Sequence, residues 1–157
     1  MNRTVTRRGF LALMAGATCT SSGLISDTTI SQALAQSGDP VAMTAEIFNA
    51  YKRDQIPKVP YTPAVRARMI RMNVGMEADI ILQAQDVEVK DYTVQPVSRG
   101  ADRAVVDARF LSFGRAIHAR FDWRVVDGKW MIADFRHIAG VENKTHLRRE
   151  LKLPPLR

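Results

Sequence analysis

The segment at 115–126, RAIHARFDWRVV, constrains the fold more than any other part of the chain. Its residues alternate between two faces, and the apolar ones share one of them: Ile117, Ala119, Phe121, Trp123 and Val125. A period of two predicts a β-strand that buries one face and exposes the other, as in an antiparallel sheet. Asp127-Gly128 follows directly and favours a tight turn into a second apolar run at 129–137. The sequence therefore predicts a β-hairpin of two long strands.

Two helices are predicted upstream of this hairpin. Asp39-Pro40 and Thr62-Pro63 each place a helix-capping side chain before a proline that suits the first helical turn. Apolar residues follow both pairs at spacings of three and four, which is typical of a helix with one buried face. Pro57 and Pro60 end the first helix. The segment at 79–82 is predicted to add a further helical turn.

Strands at 87–97 and 103–113 complete the predicted sheet, because each is a short run bounded by turn-forming residues. The order of elements is then two or three helices followed by four consecutive strands. We therefore expect an α+β fold, in which the N-terminal helices pack on a curved four-stranded antiparallel meander.

Three segments carry a resemblance to a known family. They are Tyr61-Thr62-Pro63 with Val65 and Arg66, the run DIILQAQD at 79–86, and GKWMIADF at 128–135. These segments, in this order of elements, resemble a family of small exported bacterial domains of unknown function within the nuclear transport factor 2-like (cystatin-like cone) superfamily. The likeness runs from residue 40 to residue 138. It implies a cone-shaped fold and an exported location, and it implies no reaction.

The N-terminus has the pattern of an export signal. Arg7 and Arg8 precede Phe10-Leu11 and a short apolar run, which is typical of a twin-arginine signal peptide. The small residues of Ala33-Leu34-Ala35 predict cleavage between Ala35 and Gln36. The apolar run is shorter than the roughly 20 residues needed to cross a bilayer, so no transmembrane segment is expected after cleavage. We expect a periplasmic protein that the twin-arginine translocation machinery exports.

Composition excludes several classes of function. The formal net charge is +7, yet basic and acidic residues are interspersed and no nucleic-acid-binding motif is present, so no nucleic-acid partner is expected. Cys19 is the only cysteine and would leave with the signal peptide, and Gly16 before it disfavours lipid attachment. The mature chain then has no disulfide and no cysteine metal site. Without metalloprotease, nucleophile-elbow or phosphate-loop motifs, we predict no metal and no cofactor.

Two residues of the last predicted strand are candidates for catalysis. Asp134 interrupts an apolar run, and a partly buried carboxyl can act as a general base. The alternative is an ion pair with Arg120 or Arg124. His137 lies where a cone would open, and we prefer it to His118 on the wet face. Their spacing of three places Asp134 and His137 on opposite faces of a regular strand, so no dyad is expected unless a bulge intervenes.

Two further groups have both a functional and a structural interpretation. Gln85 and Asp86, at the predicted junction between helix and strand, are able to bind a ligand or to bond the backbone of a tight turn. Four aromatic side chains are able to line an apolar cavity or simply to form the core. They are Tyr51, Trp123, Trp130 and Phe135.

The chain divides into a signal peptide at 1–35, a cone-type α+β domain at 36–139 and a basic C-terminal tail at 140–157. We expect the tail to be solvated and loosely attached, and the alternative is a short helix that contacts anionic lipid or an acidic partner. The leading hypothesis is an exported soluble binding or accessory domain for an unknown small molecule or exported protein partner, with a homodimer as one arrangement. The alternative is a small hydrolase or isomerase of the same fold that uses Asp134 or His137 as general base.

Overall fold

A computed structural model describes residues 38–75 and 78–157. Two helices come first, α1 (Pro40–Lys52) and α2 (Pro63–Met72). The strands that follow are β1 (Tyr92–Arg99), β2 (Arg103–Ser112), β3 (Arg115–Val126) and β4 (Lys129–Ala139), and a short helix α3 (Leu147–Glu150) comes last. The strands form one antiparallel sheet in the order β1-β2-β3-β4. The predicted α+β meander is therefore confirmed.

The export signal lies outside the described residues. Arg7, Arg8, Cys19, Ala35 and Gln36 all precede residue 38. Within 38–75 and 78–157, no helix combines the length and the apolar character that a membrane span requires. Twin-arginine export and cleavage after Ala35 therefore stay predictions.

The linker between the helices covers one edge of the sheet. Asp39 caps α1 as predicted, because its carboxylate accepts a hydrogen bond from the Ala42 amide at 3.0 Å. After α1 the chain runs beside β4, where the Ile132 amide donates to the Pro60 oxygen (2.8 Å) and the Thr62 amide donates to the Ile132 oxygen (3.0 Å). These bonds occupy backbone groups that an edge strand would otherwise expose. They also fix α1 and α2 over one face of the sheet, which we call the inner face.

The helical turn predicted at 79–82 is wrong. The segment forms a tight turn, closed by an isolated antiparallel bridge between Asp79 and Ala84. The Asp79 carboxylate accepts hydrogen bonds from the amides of Ile81 (2.8 Å) and Leu82 (2.9 Å). An aspartate that bonds the backbone two and three residues ahead favours a turn over a helix interior. We call residues 79–84 the Asp79 turn. The first strand also begins later than predicted, at 92 instead of 87.

A bulge in β4 directs its large side chains inward. Trp123 pairs with Ile132 and Asp122 pairs with Asp134, so Ala133 is the extra residue between them. The alternation of faces therefore shifts by one position at Ala133. The inner face of β4 consequently carries Trp130, Ile132, Phe135 and His137.

Side chains from the C-terminal residues contribute to the core, so the expected loosely attached tail is wrong. Leu147 and Leu151 are 0 % exposed, and both belong to the same buried cluster as the aromatic residues of the sheet. The His137 amide donates to the Thr145 oxygen at 2.9 Å, which ties this segment to β4. We call residues 143–157 the C-terminal segment. Its basic composition is typical of a solvated face, but Leu147 and Leu151 face the core.

Candidate functional site

The outer face of the sheet, opposite the helices, carries a continuous strip of charged side chains. On β3 these are His118, Arg120, Asp122 and Arg124, as the alternation predicts. Arg109 of β2 pairs with His118, and Asp107 pairs with Arg120. On β4, Arg136 pairs with Arg120 of β3, and Asp134 pairs with Asp122 of β3. Directly paired side chains on one face lie close enough to interact, so the strip is one connected electrostatic surface.

A cavity of about 490 Å³ lies between this strip and the C-terminal segment. We call it the arginine cavity. Its cationic lining is Arg103, Arg124, Arg136, Arg148 and Arg149. Among the described lining residues, Asp122 and Asp134 carry acidic side chains, so with histidine counted as uncharged the lining side chains have a formal excess of three positive charges. Leu153, Pro155 and Leu156 form an apolar wall.

Two of these arginines converge on one oxygen atom. The Arg124 Nη2 donates to the main-chain oxygen of Arg157 at 2.7 Å, and the Arg103 Nη2 lies 3.4 Å from the same oxygen. Arg148 instead holds the segment in place, because its Nε donates to the Pro154 oxygen at 2.7 Å. Arg103 and Arg124 therefore already share one oxygen acceptor.

Asp134 anchors the C-terminal segment and does not pair with Arg120 or Arg124, so that predicted ion pair is wrong. Its side chain is 5 % exposed. One carboxylate oxygen accepts hydrogen bonds from the amides of Phe135 (2.9 Å) and Arg148 (3.0 Å). The other lies 2.9 Å from the His146 Nε2. The sequence could not show this pair, because it depends on the C-terminal segment folding back over β4.

Asp122 faces the same cavity in a different environment. Burial raises the pKa of its carboxyl above the ordinary value, Arg136 partly opposes this, and Asp134 adds to it. The Arg136 Nη1 lies 3.7 Å from the Asp122 carboxylate. Asp122 therefore takes up a proton more readily than an ordinary aspartate.

His137 lies inside the core. It is 4 % exposed, its Nε2 donates to the Ile81 oxygen at 2.8 Å, and its ring contacts Phe135 edge-on at 4.9 Å. Its Nδ1 lies 3.4 Å from the Gln83 amide nitrogen. Burial lowers the pKa of His137, although the hydrogen bond to the Ile81 oxygen opposes this, so the neutral form of the ring is favoured. These contacts join β4 to the Asp79 turn, and the three-residue spacing keeps His137 on the face opposite Asp134.

Gln83 is a residue that sequence reasoning missed. Its amide nitrogen lies 2.6 Å from both the Asn143 oxygen and the Thr145 hydroxyl, so it links the Asp79 turn to the C-terminal segment. Gln83 has a φ of +53°, which is uncommon for a residue other than glycine.

The nearby Gln85 and Asp86 are exposed and line neither the arginine cavity nor the second cavity described below. A ligand role for Gln85 and Asp86 stays a prediction.

The four aromatic candidates lie in the core. Tyr51, Trp123, Trp130 and Phe135 are each at most 1 % exposed. The Tyr51 hydroxyl donates to the Asp79 carboxylate at 2.7 Å, and burial raises the pKa of that hydroxyl. These side chains fill the space between the helices and the sheet, which corresponds to the core alternative given above.

A second, more open cavity of about 520 Å³ lies at the opposite end of the outer face. We call it the His118 groove. The side chains that the outer face contributes to it are Thr93, Arg109, Leu111, Ala116, His118 and Ala139. The His118 Nε2 lies 2.8 Å from the Asp107 carboxylate. Arg120 donates two hydrogen bonds to the same carboxylate, from Nε at 2.6 Å and from Nη2 at 2.9 Å. The Arg120 hydrogen bonds, followed by that from His118, lower the pKa of Asp107 although burial opposes them.

Comparisons with known proteins identify no family for this chain. No family model matches it, and no curated protein matches it. Among solved structures, it is similar to a phospholipid-binding protein from Ralstonia solanacearum in complex with a phospholipid. The sequence identity is 15 %, 80 % of each chain is covered, and the TM-score is 0.35. At so low a TM-score the similarity supports no argument about the fold or ligand of this chain. Membership of the nuclear transport factor 2-like superfamily stays a prediction.

Within the described part of the chain, no group of three or more histidine, cysteine, aspartate or glutamate side chains is placed to hold a metal ion.

Proposed function

We propose that this chain is an exported binding or accessory domain that holds a small anionic molecule in the arginine cavity. The observation that carries the proposal is the charge of the lining, five arginines against two aspartates around about 490 Å³. That volume falls in the range of about 300–1,000 Å³ common for small-molecule sites. Carboxylate and phosphate groups are the ligands that fit, because a guanidinium presents paired N–H donors to two oxygens of either group.

The hydrogen bonds of the arginines indicate where in the cavity an anion would bind. Arg103 and Arg124 both point to the oxygen of Arg157, so that atom marks where a ligand oxygen would lie. Arg136 reaches the same cavity from β4, and the apolar wall would contact the carbon part of the ligand. A bound anion would replace the Arg157 oxygen or share its donors.

Two observations favour binding over catalysis by the residues named in the alternative hypothesis. The Asp134 carboxylate is occupied by the amides of Phe135 and Arg148 and by His146. His137 is buried, and its Nε2 is bonded to the Ile81 oxygen. Neither side chain presents an unoccupied basic atom to a cavity, as a general base requires.

The proposal is tested by isothermal titration calorimetry of the purified mature chain at low ionic strength. Inorganic phosphate and succinate serve as phosphate and carboxylate probes. We expect one saturable site per chain for at least one probe. The double variant Arg124→Gln/Arg136→Gln should weaken it by roughly 10-fold or more, because each lost charge-assisted bond contributes about 1.5–3 kcal/mol.

The matched control is Arg66→Gln/Arg115→Gln, which removes the same charge at two exposed positions outside the arginine cavity. We expect it to bind the probe as the wild type does. Equal weakening by both double variants would mean that only the net charge attracts the anion. Absence of saturable binding to either probe would contradict the proposal.

A further inference from the structure

The His118 groove combines a basic atom, an orienting carboxylate and a cation on one open face. The Asp107 carboxylate fixes the His118 ring through Nε2 at 2.8 Å, which leaves Nδ1 as the basic atom of the imidazole. No residue in 38–75 or 78–157 has a hydrogen bond to that Nδ1. The ring is 18 % exposed and lines the groove. An imidazole oriented by a buried or half-buried carboxylate is the arrangement by which a histidine acts as general base.

Asp107 is held firmly enough to orient the ring. Arg120 donates to both of its oxygens, and the side chain of Asp107 is only 15 % exposed. Its carboxylate therefore keeps both its charge and its position. Arg109 is the direct cross-strand partner of His118, is exposed, and lines the same groove. Cross-strand partners on one face lie within side-chain reach of each other, so the Arg109 guanidinium is able to approach a molecule bound at His118 and to stabilise negative charge that develops on it.

From this geometry we propose that the His118 groove is a hydrolytic site for small carboxylic esters. His118 is the general base, Asp107 is its positioning residue, and Arg109 faces the oxyanion. The groove is open to solvent, which supplies water as the nucleophile of the proposed reaction. Leu111, Ala116 and Ala139 offer an apolar surface for the acyl or alkyl group. This site is distinct from the arginine cavity and does not depend on the function proposed for it.

The reaction proceeds in two balanced steps. In the first, a water oxygen bonds to the acyl carbon while His118 Nδ1 takes one water proton, and the carbonyl electron pair moves to the oxygen beside Arg109. In the second, that pair re-forms the carbonyl, the bond from carbon to the alkoxy oxygen breaks, and the leaving oxygen takes the proton from Nδ1. One water and one ester give one carboxylic acid and one alcohol.

The test is hydrolysis of p-nitrophenyl acetate and butyrate by the mature chain, compared with free imidazole at the same concentration. We expect the protein to exceed free imidazole, and His118→Gln to lower kcat/KM by about 100-fold, the typical contribution of a general base. Asp107→Asn should lower kcat while KM stays constant, because the carboxylate orients the base without touching the ester. Arg115→Gln, exposed and outside the groove, is the control and should hydrolyse the esters as the wild type does.

Circular dichroism and thermal melting check that each variant is folded. If His118→Gln is unfolded, Arg109→Gln takes its place, since this side chain is exposed, and it should lower kcat by at least 10-fold. A wild-type rate no greater than that of free imidazole would overturn the proposal. So would a folded His118→Gln protein that retains the wild-type kcat/KM.

Discussion

Asp107 and Asp122 lie on the same face of neighbouring strands, yet their environments shift the pKa values of their carboxyl groups in opposite directions. Hydrogen bonds from Arg120 and His118 lower the pKa of Asp107. Burial raises the pKa of Asp122. The stability that Asp107 contributes is present above its unfolded pKa, about 3.9, and is lost as pH falls through its lowered folded pKa. For Asp122 the contribution is present below the unfolded pKa and is lost as pH rises through the raised folded pKa.

The two Asp→Asn substitutions are therefore expected to have opposite signs at neutral pH. Asp107→Asn should lower the free energy of unfolding at pH 7, and its deficit should shrink in acid. Asp122→Asn should raise the free energy of unfolding at pH 7, and its advantage should disappear near pH 3. Urea unfolding at the two pH values measures both effects. The same sign for both variants at pH 7 would contradict the assigned environments.

Trp130 is a residue whose burial tests the packing of the helices on the sheet. It is 1 % exposed on the inner face of β4. Trp130→Ala should cost about 3–5 kcal/mol in the free energy of unfolding, because it removes a large buried side chain and leaves a cavity. Val97→Ala, at an exposed position of β1, is the control and should cost less than about 1 kcal/mol. Chemical denaturation of both variants measures the difference, and similar small costs would place Trp130 at the surface.

At the scale of elements, the sequence predicts those strands and turns whose signals lie within the element itself. The boundaries predicted for β3, 115–126, are those observed, because strict alternation and an Asp-Gly turn are local signals. The bulge at Ala133 was not predictable, because it exists only in the register between β3 and β4. Likewise, the charged row on β3 was visible in the sequence, but the arginine cavity requires the C-terminal segment to fold over it.

The C-terminal segment is an element whose contribution to stability can be measured. Leu151 is 0 % exposed within the core cluster. Leu151→Ala should lower the free energy of unfolding by about 2–5 kcal/mol, the usual cost of truncating a buried leucine. The adjacent Lys152→Ala, at an exposed position, should cost less than about 1 kcal/mol. Equal losses of stability for Leu151→Ala and Lys152→Ala in a thermal or urea melt would mean that the segment is a solvated tail, as the sequence suggested.

At the scale of the whole molecule, export remains to be tested. Arg7 and Arg8 are the pair that a twin-arginine receptor would read. The double variant Arg7→Lys/Arg8→Lys keeps the positive charge and should leave uncleaved precursor in the cytoplasm. Cell fractionation and immunoblotting measure this, with Arg3→Lys as a control that should export normally. Normal processing of the double variant would assign the chain to the general secretory route.

The burial of Leu147 and Leu151 also has a consequence for synthesis. Translation proceeds at about 5–20 residues per second from the N-terminus, so the helices and the meander leave the ribosome before these leucines do. Until they arrive, the nascent domain has an unfilled apolar gap beside the sheet and none of the bonds that Asp134 makes to His146 and Arg148. The apolar core therefore closes only after the whole meander has been synthesised.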